Sequence, residues 1–357
     1  MNMESAVNPE TPEEDTDVPA LESSPLEGAD VPQAVATFQE DTPSPERSPV
    51  FWQALVLLLV FVLGGVGGYF LRGYLQEQHV QAQLAAEQQA RAAASAAFAD
   101  LLAQVNPQGG YALPVAYGDL GPQLLASGAI DLQQFTQVYE ASGDPLTAEQ
   151  LDILRKGSAQ PITFTASNAH FLLNFFWALG LVNRNSLLLE GPMMQYGGAQ
   201  GIGSFASTGG WSIGKKPATD LYASVSLVPL TSEQQARLDE VAFAVFRPCC
   251  NNPAAFPDCN HGMAMLGMLT LLAASDASTE AMFTAAKYAN AYWYPQQSME
   301  LALFFQKSQN VSFEQADSAL VTSAQVASSA GYRQVHQWLG AQGLLPQAPN
   351  QGNGCGV

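Results

Sequence analysis

The residues best suited to chemistry crowd into one run: Arg247-Pro-Cys249-Cys250-Asn-Asn-Pro-Ala-Ala-Phe-Pro-Asp258-Cys259-Asn-His261-Gly-Met263-Ala-Met265-Leu-Gly-Met268. Three of the four cysteines, one of the four histidines and three of the nine methionines fall between positions 249 and 268. Thiolates from Cys249, Cys250 and Cys259 with an imidazole from His261 make a four-donor Cys₃His set, the kind that completes a tetrahedral zinc site. His261, Met265 and Met268 stand at i, i+4 and i+7 and share one helix face, so two thioethers extend the set. Thiolate, thioether and imidazole together favour Cu(I) over magnesium or calcium. The expected metal is copper or zinc, with Met263 on another face as packing.

Two other uses of the same residues compete. Methionine on an amphipathic helix commonly fills core space, and cysteines in an exported domain commonly form disulfides. Four cysteines allow three pairings. Cys249 and Cys250 are adjacent and bond each other only through a strained ring, whereas either can pair with Cys259 or with Cys355 in the glycine-rich C-terminal run. A redox-active thiol is the third use. Over 13 residues, Cys249-Cys250 followed by Pro257-Asp258-Cys259-Asn260-His261 resembles the Cys₃His iron–sulfur motif of the CDGSH proteins. It departs from that motif in two ways. The first two cysteines are adjacent, and one residue instead of three separates the third cysteine from the histidine, so no function is carried over.

No nucleophile–base pair is legible elsewhere. His170 opens an apolar helix, His79 lies on a polar helical stretch and His336 stands near Trp338, each without a partner nameable from sequence. Whether the protein is an enzyme is left open. Walker, Gly-x-Ser-x-Gly and His-Glu-x-x-His sequences are missing, and Gly201-Ile-Gly-Ser-Phe-Ala206 lacks the preceding strand a dinucleotide fingerprint needs. Arg184 and Arg247 are scarce cations in an acidic domain, suited to pairing with buried carboxylates.

Composition sets where such a site sits. Of 357 residues only 13% are charged, and the formal net charge is −19. A nucleic-acid groove needs a basic field, so nucleic acid is excluded as a partner. Residues 1–48 carry seven prolines and many acidic and hydroxyl residues but few large apolar ones, and read as a disordered acidic tail. Residues 49–72 follow, with no charge between Arg47 and Arg72, aromatic Phe51 and Trp52 at one end and Tyr69 at the other. At 1.5 Å per residue this run spans the ~30 Å hydrocarbon core of a bilayer. It starts too late and runs too long for a cleaved signal peptide. A single-pass anchor in the cell membrane is expected, with the N-terminus cytoplasmic and the C-terminal domain extracytoplasmic, although the flanking arginines balance. Gly64 and Gly68 form a GxxxG pair that suits a homodimer.

Residues 73–106 are rich in Ala, Gln, Leu and Glu and read as a helical stalk. Ala82, Ala86, Ala90, Ala93, Ala97 and Leu101 recur at coiled-coil-like steps, mostly as alanine. Residues 107–345 are expected to form one α-helical domain, and 346–357 a flexible tail. Capping signals at Thr147, Asn168, Thr231, Asp258 or Asn260, Thr279 and Ser312 mark helix starts. Residues 191–230 are dense in glycine and read as a loop insertion wrapping the body, with room for a short hairpin. The fold class is therefore mainly α: anchor, stalk, and one helical domain with a glycine-rich insertion.

Overall fold

The computed structural model describes residues 49–345; the acidic tail, the C-terminal run and Cys355 lie outside the described residues. The chain divides into two units, residues 1–76 and 77–357. Helix α1 (Pro49–Val105) is one continuous helix, so the run expected as an anchor and the run expected as a stalk are not separated by a break. Neither stretch contains a proline after Pro49 to interrupt the hydrogen-bond ladder. In the first unit, large apolar side chains from Val50 to Leu75 are exposed, and the helix is long and apolar enough to cross a membrane.

The second unit is mainly helical. A two-stranded antiparallel sheet pairs β1 (Tyr111–Gly118) with β2 (Ser158–Phe164), and α2 (Leu120–Ser127), α3 (Leu132–Ala141) and α4 (Ala148–Lys156) lie between them in sequence. This sheet is an addition to the mainly helical reading, which named no strand in the segment. The residues alternate, with Leu113 and Tyr117 buried and Ala112, Pro114 and Ala116 exposed, as a half-buried strand requires. Prolines 114 and 161 masked the pattern, because proline argues against a central strand. A two-stranded sheet has only edges, so it can hold both.

Helix α5 (Ala169–Val182) is the hub of the main core. It is followed by α6 (Ser186–Leu189) and then by α7 (Pro192–Gly201), α8 (Ala206–Gly209) and α9 (Ala218–Leu221), the last three cut from the glycine-dense segment. The expected hairpin does not form there. Instead, glycines chop the segment into short turns, with Gly198 at φ 61° breaking α7 internally. Trp211 anchors the segment to the body by donating from Nε1 to the Ala129 carbonyl.

Then come α10 (Ser232–Ala244), α11 (Asn260–Ala274), α12 (Thr279–Trp293), α13 (Pro295–Gln309), α14 (Ser318–Val321), α15 (Ala324–Ala327) and α16 (Ser329–Ala341). Capping boxes open α4 at Thr147 and α10 at Thr231 as the sequence implies. Elsewhere the caps differ. Asn168 bonds Thr165 N–H and the Thr163 carbonyl instead of capping α5. The α12 cap is Ser278, one residue before Thr279. Ser312 closes a turn with Gln315 that no helix continues.

Helices α5 and α11 approach at backbone contact, since a Cβ on Gly180 would collide with the Met263 carbonyl and one on Gly267 with the Phe176 carbonyl. This crossing fixes the start of α11, where the cysteines meet. A second cluster gathers Leu101, Val105, Tyr288, Phe305, Phe313 and Leu339.

Candidate metal centre

Residues 245–259 join α10 to α11, and the backbone of this connection is held from both sides. Phe246 N–H donates to the Thr322 carbonyl at 2.7 Å, and Ser329 N–H donates to the Cys250 carbonyl at 2.8 Å. Asn290 Nδ2 donates to the Phe246 carbonyl, and Ala330 N–H to Asn251 Oδ1. Prolines 248, 253 and 257 fix φ along the way. Ala254 and Ala255 are buried in the main core. A loop pinned this often presents its side chains in one arrangement.

That arrangement brings three sulfurs together. The Sγ atoms of Cys249, Cys250 and Cys259 all lie within 4.8 Å of one another, a group able to hold a metal ion. Cys249 and Cys259 are 3.6 Å apart and unbonded. That spacing is near the ~3.8 Å edge of a tetrahedron with ~2.3 Å metal–sulfur bonds. Cys249 is exposed, so the group opens to solvent on one side. Cys259 is also the N-cap of α11, its Sγ accepting from Gly262 N–H at 3.4 Å. The cap expected from Asp258 or Asn260 is therefore a thiol.

Beneath the sulfurs lies Arg247, fully buried. Its Nε donates to Cys259 Sγ at 3.4 Å, and its Nη2 donates to Cys250 Sγ at 3.1 Å and to Asp258 Oδ1 at 3.2 Å. The other oxygen of Asp258 accepts from Asn252 Nδ2 at 2.7 Å. Burial works against the guanidinium's charge, but the neighbouring sulfurs outweigh it and hold the group protonated. Thiol hydrogen bonds from Cys249 and Cys250, with Arg247 behind them, push the Cys259 thiol well below its ordinary range. Donation to its neighbours pushes Cys249 up. For Cys250 the bond from Cys249 acts downward, yet donation to Cys259 and burial leave it raised. The three sulfurs thus share negative charge centred on Cys259, at a helix N-terminus that favours it.

The other three expected ligands fall differently. His261 stands in the first turn of α11, outside the group of mutually close donors. Its Nδ1 meets Asn260 Oδ1 at 2.9 Å, and its ring packs 4.6 Å from Tyr294 and 5.8 Å from Trp293. Burial lowers its pKa to about 4, so the imidazole is neutral at neutral pH, the form that binds metals. Met265 and Met268 are fully buried in the main core. By the helical rise they lie about 9 and 13 Å along the axis beyond Cys259. They share a face with His261, as their spacing implies, and α11 turns Met263 and Gly267, on another face, toward α5.

Tyr294 was not legible as a neighbour. It lies 35 residues beyond Cys259, at the junction of α12 and α13, and nothing in its local sequence marks it. Its side chain is 6% exposed, and its hydroxyl has no partner of hydrogen-bond geometry. Burial raises its pKa, and the nearby sulfurs of Cys249 and Cys259 add to the rise.

The chain matches no protein-family model, curated protein or solved structure.

Proposed function

We propose that this chain is a membrane-anchored, extracytoplasmic metal-binding protein that holds copper or zinc through Cys249, Cys250 and Cys259. The observation that carries this reading is the mutual approach of the three sulfurs within 4.8 Å on a pinned loop. Soft sulfur donors favour these ions over hard ones. Of the six residues expected at the site, we give the ligand role to the cysteines, with His261 as a wall beside them and Met265 and Met268 as core. The carboxylate nearest the sulfurs, Asp258, is engaged by Arg247 and Asn252, so metal handling, sensing or electron transfer fits better than hydrolysis.

The apolar stretch of α1 supports the anchor. An orientation with the domain outside is supported by its few lysines and its abundance of Gln, Asn and Ser. Gly64 and Gly68 have open space around them, room for a second copy of the helix.

Elemental analysis of the full chain, purified anaerobically in detergent, tests the site. About one copper or zinc per chain is expected, with loss in Cys259→Ser and retention in His261→Ala. Substoichiometric metal, unchanged in Cys259→Ser, overturns the reading. Carbonate extraction and protease treatment of intact cells test the anchor and its orientation. Full protection of the domain reverses the topology.

One observation favours the alternative of a disulfide-stapled scaffolding domain: Cys249 and Cys259, at 3.6 Å, are close enough to oxidise to a bond. Titrating free thiols in the denatured protein under air decides, because the staple removes at least two of the four thiols and holds no metal.

A further inference from the structure

The donor set at the sulfurs has two properties that together discriminate between ions. First, it is three-coordinate: among the described residues, the mutually close group is three cysteines, with no histidine or carboxylate in it. A structural zinc site wants four ligands, whereas soft sulfur sites suit Cu(I) without that demand. Second, a permanent positive charge is built against the sulfurs. Arg247 is fully buried, bonds two of the three sulfurs at 3.4 and 3.1 Å, and is not deprotonated in proteins. It is no passing surface contact. Asp258 holds Nη2 from the side, and Gly262 leaves the space the guanidinium fills, because a Cβ there would stand 2.5 Å from Nη2.

We propose that Arg247 is the specificity-determining residue of this centre, biasing it toward a monovalent soft ion, Cu(I), and against divalent zinc. This inference rests on the metal-binding reading above and deepens it. The reasoning is electrostatic. An ion bound to Cys250 and Cys259 lies on the order of 5 Å from the guanidinium, and repulsion grows in proportion to the ion's charge. Zinc therefore suffers twice the repulsion that Cu(I) does. Asp258, 3.9 Å from Cys250 Sγ, offsets part of it and acts in the opposite direction. The N–H···S bonds also withdraw charge from the sulfurs, as groups around ligating sulfur commonly do. In this arrangement Arg247 holds the sulfurs of Cys250 and Cys259 and tunes which cation the three cysteines accept. It is a positioning residue and touches no metal.

The test is a competition titration with chromophoric chelators specific for Cu(I) and for Zn(II), run anaerobically on the full chain in detergent. The variants are Arg247→Met, Arg247→Lys and Asp258→Asn, each checked for fold by circular dichroism. The readout is the ratio of the two affinities, which a merely structural role would not move in a charge-dependent way. Arg247→Met is expected to lower the Cu(I)-over-Zn(II) ratio by about tenfold to a hundredfold, mainly through a gain for zinc. Arg247→Lys should keep the ratio near the wild type even if both affinities fall. Asp258→Asn should raise it, and this arm decides if Arg247→Met does not fold. A ratio indifferent to both charges, or shifts of the opposite sign, overturns the inference while leaving the metal reading standing. A wild-type chain that binds neither ion overturns both.

Discussion

Gly262 and the guanidinium of Arg247 are fitted to each other: a Cβ on the glycine would lie 2.5 Å from Nη2 and 2.8 Å from Cζ. The glycine's backbone N–H meanwhile caps onto Cys259 Sγ. One residue thus serves both the cation under the site and the sulfur above it. Gly262→Ala should push the guanidinium out of its seat and break its bonds to Cys250 and Cys259. The expected cost is about 1–3 kcal/mol of stability, as for overpacking in a dense core. A lower melting temperature together with lower metal content checks it. Wild-type values for both would show that the seat is slack.

The α5–α11 crossing makes a harsher prediction. Gly180→Ala places a methyl against the Met263 carbonyl, where backbone and not a pliable side chain must yield. Because α11 carries the capping cysteine at its start, separating the helices should also disturb the sulfurs. The variant is expected to unfold at markedly lower denaturant concentration than Gly262→Ala. Equal midpoints would show that the crossing is more tolerant than the seat.

Lys287 gives a dependence on pH. Its Nζ is buried, donates to the carbonyls of Phe313, Glu314 and Ala316, and has a pKa lowered to about 8 by burial. An unfolded lysine keeps its proton until about 10.4. Between those values the unfolded chain binds more protons, so this residue's contribution to stability rises as pH increases from 8 toward 10. Above about 10, tyrosines with raised pKa values, among them Tyr117 at about 12, ionise only on unfolding and reverse the trend. The difference in unfolding free energy between wild type and Lys287→Met should grow across pH 8 to 10, by up to about 3 kcal/mol. A flat difference in urea titrations at several pH values rejects it.

The Thr231 capping box does two jobs. Thr231 accepts from Gln234 N–H, while the Gln234 amide reaches across to the Ala274 carbonyl and Asp276. Thr231→Ala should cost about 1 kcal/mol, as lost caps do. Gln234→Ala should cost more, because it also releases the end of α11. Chemical denaturation of both variants checks the order.

Much of this architecture was readable where a single local rule decided the outcome. The caps at Thr147 and Thr231 and the apolar run of α1 depend on neighbours within a few residues. So did the sulfur cluster, because Cys249, Cys250 and Cys259 lie within one loop. What escaped depends on distant chain. Tyr294 meets Cys249 only because α12 packs back on α10 and α11. His261, outside the close group of sulfurs, has its ring set by Trp293 and Tyr294 and by the side chain of Asn260. Met265 and Met268 share a face with His261 as their spacing implies, but spacing could not say that both are fully buried in the main core. The β1–β2 pair was hidden by its own prolines.

That pair has a consequence for the chain while it is being made. The last residue of β1, Gly118, and the last of β2, Phe164, are 46 positions apart. At roughly 5–20 residues per second of synthesis, the first strand waits about 2–9 seconds before its partner exists. Throughout that interval Leu113 and Tyr117 have an unpaired backbone edge beside them, which other nascent chains can extend. Pro114, between them and facing outward, supplies no amide to such an edge. The residue that conceals β1 from a reader of the sequence thus also guards it on the ribosome.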